Sequence, residues 1–366
     1  MDVSVPILTG DHCANMLHWV EALVPHLQAH AAALDVGSLF PAEDIAALRD
    51  FGLLRAVCPR RFGGLGLGTE SAAALPSLSV LRALGRGNLS VGRLIEAHMN
   101  ALKLVCAYGD AAAVEAACAD AGAGHLFGLW VTGDTLRLEG GVLRGGKDIC
   151  SGAGFVTRAL VTVEIGADAP VMMVADVAQA RVAGPYVALH GMRAACNAAM
   201  DLDGLAAGIT IGQPGDYLRQ PLFSAGAWRT SAVTLGGMDS LVDVVTAALL
   251  KRGRADDPHQ QARVGQMKIA QQTAYLWMRQ AAPLAERTGE PDAIAAFVNL
   301  ARIAVEQAGL NIIRLAQQSL GLSCMVERNP AERIMRDLAT YLRQPAGDQT
   351  LTEAAGYFTR HSLPAL

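Results

Sequence analysis

The chain has 366 residues, of which 52% are hydrophobic and only 17% are charged. It is therefore long enough for two or three domains and too apolar to be intrinsically disordered. Its 30 basic and 34 acidic residues leave a net charge of -4, which offers no electrostatic basis for binding nucleic acid or an anionic membrane. So much apolar sequence indicates a sizeable subunit interface, and we expect a homo-oligomer.

Membrane spans, disulfides and metal sites are not expected. The most apolar stretch, residues 231–250, is interrupted by Asp239 and Asp243, so it does not indicate a transmembrane helix. The first residues lack the basic and apolar segments of a secretory signal, which favours a cytoplasmic location. The seven cysteines contain no CxxC pair. His26 and His30 have metal-binding spacing but no third ligand nearby in the sequence, so we predict no metal site.

Helical periodicity covers the first third of the chain. Pro41 and the acids that follow it begin an amphipathic helix, which ends before a glycine-rich loop at residues 63–68. Further helices are predicted at residues 72–84, 89–108 and 110–121. His98 lies on the second of these, among apolar residues, and is predicted to be a hydrogen-bonded core histidine rather than a catalytic group.

The pattern then changes to strands and back to helices. Alternating runs at residues 159–163 and 171–174, separated by glycine turns, predict an antiparallel sheet or small barrel. Long helices with short breaks follow at residues 228–252, 258–286, 291–321 and 330–341, which is typical of an antiparallel bundle. We expect the charges of the last helix to form structural ion pairs. The sequence thus predicts an α+β chain with an N-terminal helical domain (1–125), a middle antiparallel β-barrel domain (126–215) and a C-terminal four-helix bundle (216–366).

This order of segments resembles that of the acyl-CoA dehydrogenase family. Five segments carry the resemblance, and they occur in the order that the family has. They are the turn at residues 59–66, which ends in Gly-Gly-Leu-Gly; the helix with Glu96-Ala97-His98; Gly146-Lys147-Asp148-Ile149-Cys150-Ser151; Gly191-Met192-Arg193; and the Pro-x-Glu-Arg-x-x-Arg-Asp helix at residues 330–337.

The resemblance implies an FAD-dependent oxidoreductase that acts on an acyl thioester, such as an acyl-CoA, or on a similar small substrate. It implies that FAD lies between the β domain and the bundle of a homodimer or homotetramer, with an electron-transfer protein or oxygen as the acceptor. The residues that it places at the cofactor are Trp130, Thr132 and Ser151 beside the flavin, and Arg252, Gln261, Gln317 and Gly321 at the dinucleotide.

The sequence departs from the family where a catalytic glutamate is expected. The usual position corresponds to Pro345, and an alternative position, just before an arginine, corresponds to Trp228. Asp348 is the nearest acid, and we expect it to be a solvated loop carboxylate. The catalytic base is therefore unassigned. A flavin-dependent monooxygenase of the same fold, a flavin-binding member that dehydrogenates nothing, and a structural protein without flavin remain the alternatives.

Overall fold

The computed structural model describes residues 12–133, 136–166 and 168–364. Its first third is helical, as predicted. The helix expected after Pro41 is interrupted at Gly52, whose left-handed backbone (φ 90°) precedes a separate short helix. The side chain of Asn88 accepts a hydrogen bond from the amide of Ser90 and caps the fifth helix. The helices are α1 (His12–Gly37), α2 (Ala42–Asp50), α3 (Leu53–Ala56), α4 (Ala74–Gly87), α5 (Leu89–Tyr108) and α6 (Ala111–Gly122).

The middle of the chain forms a β region of short strands. Three groups of strands pair, in the orders β1-β5-β6-β9, β4-β8-β7 and β2-β3. The pairing is antiparallel, as predicted, except that β1 runs parallel to β5. A parallel neighbour needs a long crossover connection, and residues 131–157 supply it here. The strands are β1 (Phe127–Trp130), β2 (Arg137–Glu139), β3 (Val142–Arg144), β4 (Gly146–Cys150), β5 (Arg158–Val163), β6 (Val171–Asp176), β7 (Arg181–Val182), β8 (Ala198–Asp201) and β9 (Ile209–Ile211).

The last third is a helical bundle whose four long helices lie where the periodicity predicts them. Three of them begin in the same way, with a side-chain cap followed by proline: Asp257, Glu290 and Asn329 accept hydrogen bonds from the first helical amides. A further helix, α12, was not predicted. The helices are α7 (Leu222–Ala225), α8 (Ala227–Lys251), α9 (Pro258–Glu286), α10 (Pro291–Leu320), α11 (Pro330–Tyr341) and α12 (Gly347–Phe358).

Two helical segments of the bundle are long and apolar enough to cross a membrane. They are Leu222–Lys251 and Pro291–Met325, and 61% and 56% of their most apolar windows are buried inside the protein. The core helices of a helical bundle have this composition because they are surrounded by other helices. Length and composition are therefore weak evidence for a membrane span in this chain.

The first helical block and the bundle meet in a close crossing of α4 and α8. A Cβ atom added to Gly85 would lie 2.0 Å from the backbone oxygen of Val233, and one added to Gly236 would lie 2.0 Å from the backbone oxygen of Arg82. Both distances are shorter than any real carbon–oxygen contact, so the two backbones touch only because these positions lack side chains.

A buried ionic junction joins three parts of the chain. Arg336 of α11 pairs with Asp35 of α1 (Nη2–Oδ2 2.6 Å) and donates to the backbone oxygen of His190 (2.8 Å). Next to it, Asp337 accepts a hydrogen bond from the amide of Met192 (2.6 Å), and burial raises its pKa. The charges of α11 thus form structural ion pairs, as expected, and two of the five resembling segments contact each other directly.

His98 is a neutral core histidine, as predicted. It is fully buried, its Nδ1 accepts a hydrogen bond from the amide of Phe127 (3.1 Å), and its Nε2 lies 3.0 Å from the backbone oxygen of Leu54. Only the Nε2-protonated neutral ring satisfies both contacts. Burial lowers the pKa of His98 to about 4. The ring therefore links α3, α5 and β1 only while it is uncharged.

The glycine crossing can be tested with a matched pair of helix substitutions. Gly236→Ala should lower the free energy of unfolding by about 3 kcal/mol, because its methyl group meets backbone atoms that cannot rotate away. Gly265→Ala on α9 should raise it by about 0.5–1 kcal/mol, because open space surrounds that position and alanine favours helix. Chemical denaturation measures both, and equal effects would contradict the crossing.

His98 should make stability depend on pH in a defined window. Its pKa is about 4 in the folded chain and about 6.5 when unfolded, so the unfolded chain takes up the proton first. The contribution of the neutral ring is complete above about pH 6.5 and declines as the pH falls towards 4. From pH 7 to pH 5 the wild type should lose about 2 kcal/mol more unfolding free energy than His98→Gln. Identical losses in denaturation curves at both pH values would refute the assignment.

Candidate functional site

A cavity of about 530 Å³ lies where the bundle meets α5 and the end of β1. Its walls come from α5, α8 and α10, from Leu129 of β1, and from the segment that joins α11 to α12. A pocket of this size and position, with converging polar groups, is the natural candidate for a small-molecule site. Its charged lining residues are Arg93, Glu96, Lys103, Arg229, Arg302 and Glu353.

Glu96 is the buried acid of this cavity, with only 2% of its surface exposed. Its carboxylate accepts hydrogen bonds from Arg93 (2.5 Å), Asn100, Thr230 (3.1 Å) and Tyr341 (3.3 Å). Arg93 and Asn100 lie three residues before and four after Glu96, so α5 presents all three on one face. The other two donors come from α8 and α11. Because four donors already bind the carboxylate of Glu96, its position is fixed by these hydrogen bonds.

The charge of Glu96 shifts the pKa values of Arg93 and Tyr341. Burial alone would lower the pKa of Arg93, but the adjacent carboxylate outweighs it and raises that pKa. Burial, together with the same negative charge, raises the pKa of Tyr341 well above its ordinary value. Burial also raises the pKa of Tyr217, another lining residue, to about 12. Both phenols therefore remain hydrogen-bond donors at neutral pH.

A second buried ion pair, between Arg229 of α8 and Glu286 of α9, lies beside the first. The two side chains are 2% and 1% exposed. Arg229 also donates to the side-chain oxygen of Asn100 (3.0 Å) and to the backbone oxygen of Gly68 (2.6 Å). Because Asn100 contacts Glu96 as well, it joins the two ion pairs into one network.

Glu286 is an acid that contacts both Trp228 and Arg229, the two residues that the sequence offered at the alternative position of the catalytic glutamate. It accepts hydrogen bonds from the indole nitrogen of Trp228 (3.0 Å) and from Lys103 (2.6 Å). Burial opposes its ionisation, but the neighbouring cations outweigh that effect and lower its pKa. Arg229 and Lys103 line the cavity, whereas Glu286 lies behind them. It therefore acts as a buried counter-ion.

The segment between α11 and α12 brings Pro345 and Ala346 to the cavity wall. Arg302 of α10 donates to the backbone oxygen of Pro345 (2.6 Å). Its Nε atom is buried and has no hydrogen-bond partner among the described residues, and burial lowers its pKa. Asp348 is exposed, as expected, but it lies in the first turn of helix α12 rather than in a loop. At this point the cavity wall therefore carries Arg302, whose Nε–H makes no hydrogen bond within the described part of the chain. Neither Pro345 nor Ala346 supplies a carboxylate there.

The structure brings Trp130 and Ser151 into contact, although neither residue lines the cavity. The indole nitrogen of Trp130 donates to the backbone oxygen of Ser151 (3.0 Å), and the hydroxyl of Ser151 donates to Asn197 (2.8 Å). Trp130 and Ser151 are buried, whereas Thr132 is exposed just beyond the end of β1. Leu129, the neighbour of Trp130, forms part of the cavity wall. Because its hydroxyl hydrogen is used internally, Ser151 can offer an external ligand only its remaining groups.

The remaining residues expected at the cofactor lie near one end of the bundle. Arg252 follows α8, is exposed and donates to the hydroxyl of Ser323 (2.8 Å). Ser323 belongs to the turn that begins at Gly321, and the amide of Gly321 bonds to the backbone oxygen of Gln317. Gln261 is exposed in the first turn of α9. These positions are separate from the pair formed by Trp130 and Ser151.

The sequence prediction missed most of the charged cavity residues. Glu96 appeared only as part of a resembling segment, and Arg93 and Arg302 were not considered. A signal for Glu96 was present, because an acid between Ile95 and Ala97 on an apolar helix needs buried partners. The sequence around Arg302 contains no comparable signal.

A family model described as the acyl-CoA dehydrogenase C-terminal domain matches residues 216–347. The matched region covers the long bundle helices and ends just after the cavity wall at Pro345. No curated protein is significantly similar to the chain in sequence.

Solved structures resemble the chain over almost its whole length. They include glutaryl-coenzyme A dehydrogenase in complex with glutaryl-CoA (TM-score 0.83, 18% identity, 98% of each chain). KijD3 in complex with FMN and dTDP-3-amino-2,3,6-trideoxy-4-keto-3-methyl-D-glucose has a TM-score of 0.82 and 19% identity over 97% of this chain and 95% of that one. TdsC from Paenibacillus sp. A11-2 with FMN and indole has a TM-score of 0.80 and 18% identity over 95% and 98%.

The fold expected from the five sequence segments is thus confirmed. The chain has the acyl-CoA dehydrogenase fold, and its residues 216–347 match the model of the acyl-CoA dehydrogenase C-terminal domain.

Proposed function

We propose that the protein is a flavin-dependent oxidoreductase that acts on an acyl thioester or a similar small substrate. The observation that carries the proposal is the cavity of about 530 Å³ between Leu129 of β1 and the charged faces of α5, α8 and α10. Trp130, which follows Leu129 in β1, contacts Ser151. Proteins of the same fold support it, since glutaryl-CoA dehydrogenase is seen with glutaryl-CoA, and KijD3 and TdsC are seen with FMN.

The β-side residues fit one face of a flavin. A bound flavin would supply the electron-accepting centre and, when reduced, the reaction with oxygen. Leu129 provides an apolar contact for a flat ring system, Trp130 supports the strand from its buried opposite face, and the exposed hydroxyl of Thr132 can bond to the polar edge of the ring. Ser151 would contribute through its backbone, because its hydroxyl is bound to Asn197.

The end of the bundle fits the diphosphate of FAD. Arg252 uses one nitrogen for Ser323, so its other donors can bind a diphosphate, and Gln261, Gln317 and Gly321 would complete that site. Apolar residues beside Gly321 are exposed, above all Leu322 at 83%. An exposed apolar patch at this position supports a homodimer or homotetramer in which a neighbouring subunit covers it.

The acids that line the cavity bear on which of two reactions, dehydrogenation or oxygenation, the protein catalyses. Dehydrogenation of an acyl thioester needs a carboxylate to remove the proton next to the carbonyl. Glu96 is occupied by four donors, and Glu353 lies at the exposed edge. Pro345, on the wall, cannot accept a proton. This wall favours a second candidate, a flavin-dependent monooxygenase, in which oxygen rather than an electron-transfer protein takes the electrons and no such proton need be removed.

Arg252→Ala should distinguish FAD from FMN as the cofactor. We expect the substitution to weaken FAD binding by about tenfold or more, because a hydrogen bond to a charged group is lost, and to leave FMN binding unchanged. Fluorescence titration of the flavin-free protein measures both affinities. Arg314→Ala, which removes an exposed arginine from α10, is the control. Equal affinities of wild type and Arg252→Ala for FAD would exclude Arg252 from the cofactor site.

The reaction can be tested on flavin-loaded protein. Under anaerobic conditions, a panel of acyl-CoAs should bleach the blue absorbance of the flavin if the chain dehydrogenates thioesters, whereas free coenzyme A should not. If the chain is a monooxygenase, the panel will leave the spectrum unchanged, and the chemically reduced protein will consume oxygen and oxygenate its substrate. A protein that binds neither FAD nor FMN would contradict the proposed function altogether.

A further inference from the structure

Two histidines and a buried aspartate converge far along the chain from the cavity residues. His26 and His30 lie one turn apart on α1, so both point to the same side of the helix. Asp44 of α2 faces them: its Oδ1 lies 3.0 Å from Nδ1 of His30 and 3.7 Å from Nε2 of His26. The ligand atoms of all three lie within 4.8 Å of one another. The fold thus supplies the third ligand that the sequence did not reveal.

The two distances from Asp44 are close to those of a tetrahedral zinc site. Zinc binds nitrogen and oxygen ligands at about 2.0–2.2 Å, which places neighbouring ligand atoms about 3.3 Å apart. The two separations from Asp44 lie on either side of this value. The side chains of His26 and His30 are 48% and 34% exposed, so a metal ion could enter from solvent and retain water as its fourth ligand.

Asp44 gives an independent reason to expect a cation. The residue is fully buried, and its Oδ2 has no hydrogen-bond partner among the described residues. A buried carboxylate with one unsatisfied oxygen is costly. Burial accordingly raises its pKa, although His30 and His26 act in the opposite direction. A hydrogen bond from His30 satisfies Oδ1 but leaves His26 unexplained, whereas a cation bound at Oδ1 would offset the buried charge of the whole carboxylate, Oδ2 included.

We propose that His26, His30 and Asp44 bind a divalent transition-metal ion, with zinc as the occupant. Two imidazoles and a carboxylate are suitable ligands for zinc, and the ion neutralises the buried charge of Asp44. None of the three residues lines the cavity. The ion therefore fastens α1 to α2 and stabilises the amino-terminal block, and this role does not depend on the proposed function.

Zinc binding should be measured on the untagged full-length protein after treatment with a chelator. Calorimetric titration with zinc chloride should show one strong site per chain, and zinc should raise the unfolding temperature, since it binds the folded state. His26→Ala should retain the metal-free unfolding temperature, lose the rise with zinc, and weaken binding by about tenfold or more. His18→Ala removes an exposed histidine from the same helix and should behave as wild type.

Asp44→Asn tests whether the buried carboxylate takes part, because two surface histidines acting alone would bind zinc equally well with or without its charge. The substitution keeps the shape of the side chain and removes its charge, so the variant should remain folded by circular dichroism yet bind zinc at least about tenfold more weakly. When cobalt replaces zinc, the wild type should show the visible absorption bands of a four-coordinate cobalt ion, and Asp44→Asn should not. The proposal is overturned if His26→Ala/His30→Ala binds zinc as the wild type does, or if Asp44→Asn retains full affinity.

Discussion

The cavity depends on buried charges that must be paired. Arg229 and Glu286 are almost completely excluded from solvent, and removal of one partner from such a pair costs about 3–5 kcal/mol, because the other charge stays buried. Asn100 connects this pair to Glu96 and Arg93. The network draws donors and acceptors from α5, α8 and α9, so those helices can approach only in the arrangement that satisfies all of them. The polar face of the cavity is a consequence of that arrangement.

Local sequence signals were sufficient for most of the fold. The bundle helices that start with proline and the helix at residues 89–108 begin where chain breaks and periodicity placed them. Local signals did not predict the elements that depend on tertiary contacts. Helix α12 is fixed through Thr350 and Ala354, its buried residues, and its short polar sequence gave no apolar stripe to recognise. The parallel pairing of β1 with β5 also depends on a long crossover that no local pattern encodes.

The candidate site was less predictable, for the same reason. The resemblance indicated Trp130 and Ser151, and the fold does bring these two together. Two of the four donors to Glu96 come from α8 and α11, more than a hundred residues away, and Glu286 pairs with Arg229 across 57 residues. Likewise, the carboxylate that faces the histidine pair of α1 comes from Asp44 of α2, which lies 14 residues beyond His30. When side chains from distant parts of the chain meet only in the folded structure, the sequence contains no spacing pattern that predicts their contact.

The way the cavity wall is held at Pro345 explains why this fold does not require a particular side chain at that position. Ala346 has a left-handed backbone (φ 54°), which costs a residue with a side chain about 1 kcal/mol or more. The conformation persists because Arg302 holds the backbone oxygen of Pro345 (2.6 Å) and α12 is anchored through its buried face. The contact from Arg302 is made to the backbone and is indifferent to the side chain at 345. An acid there can be lost or gained while the cavity keeps its shape, so the same scaffold can accommodate different chemistry.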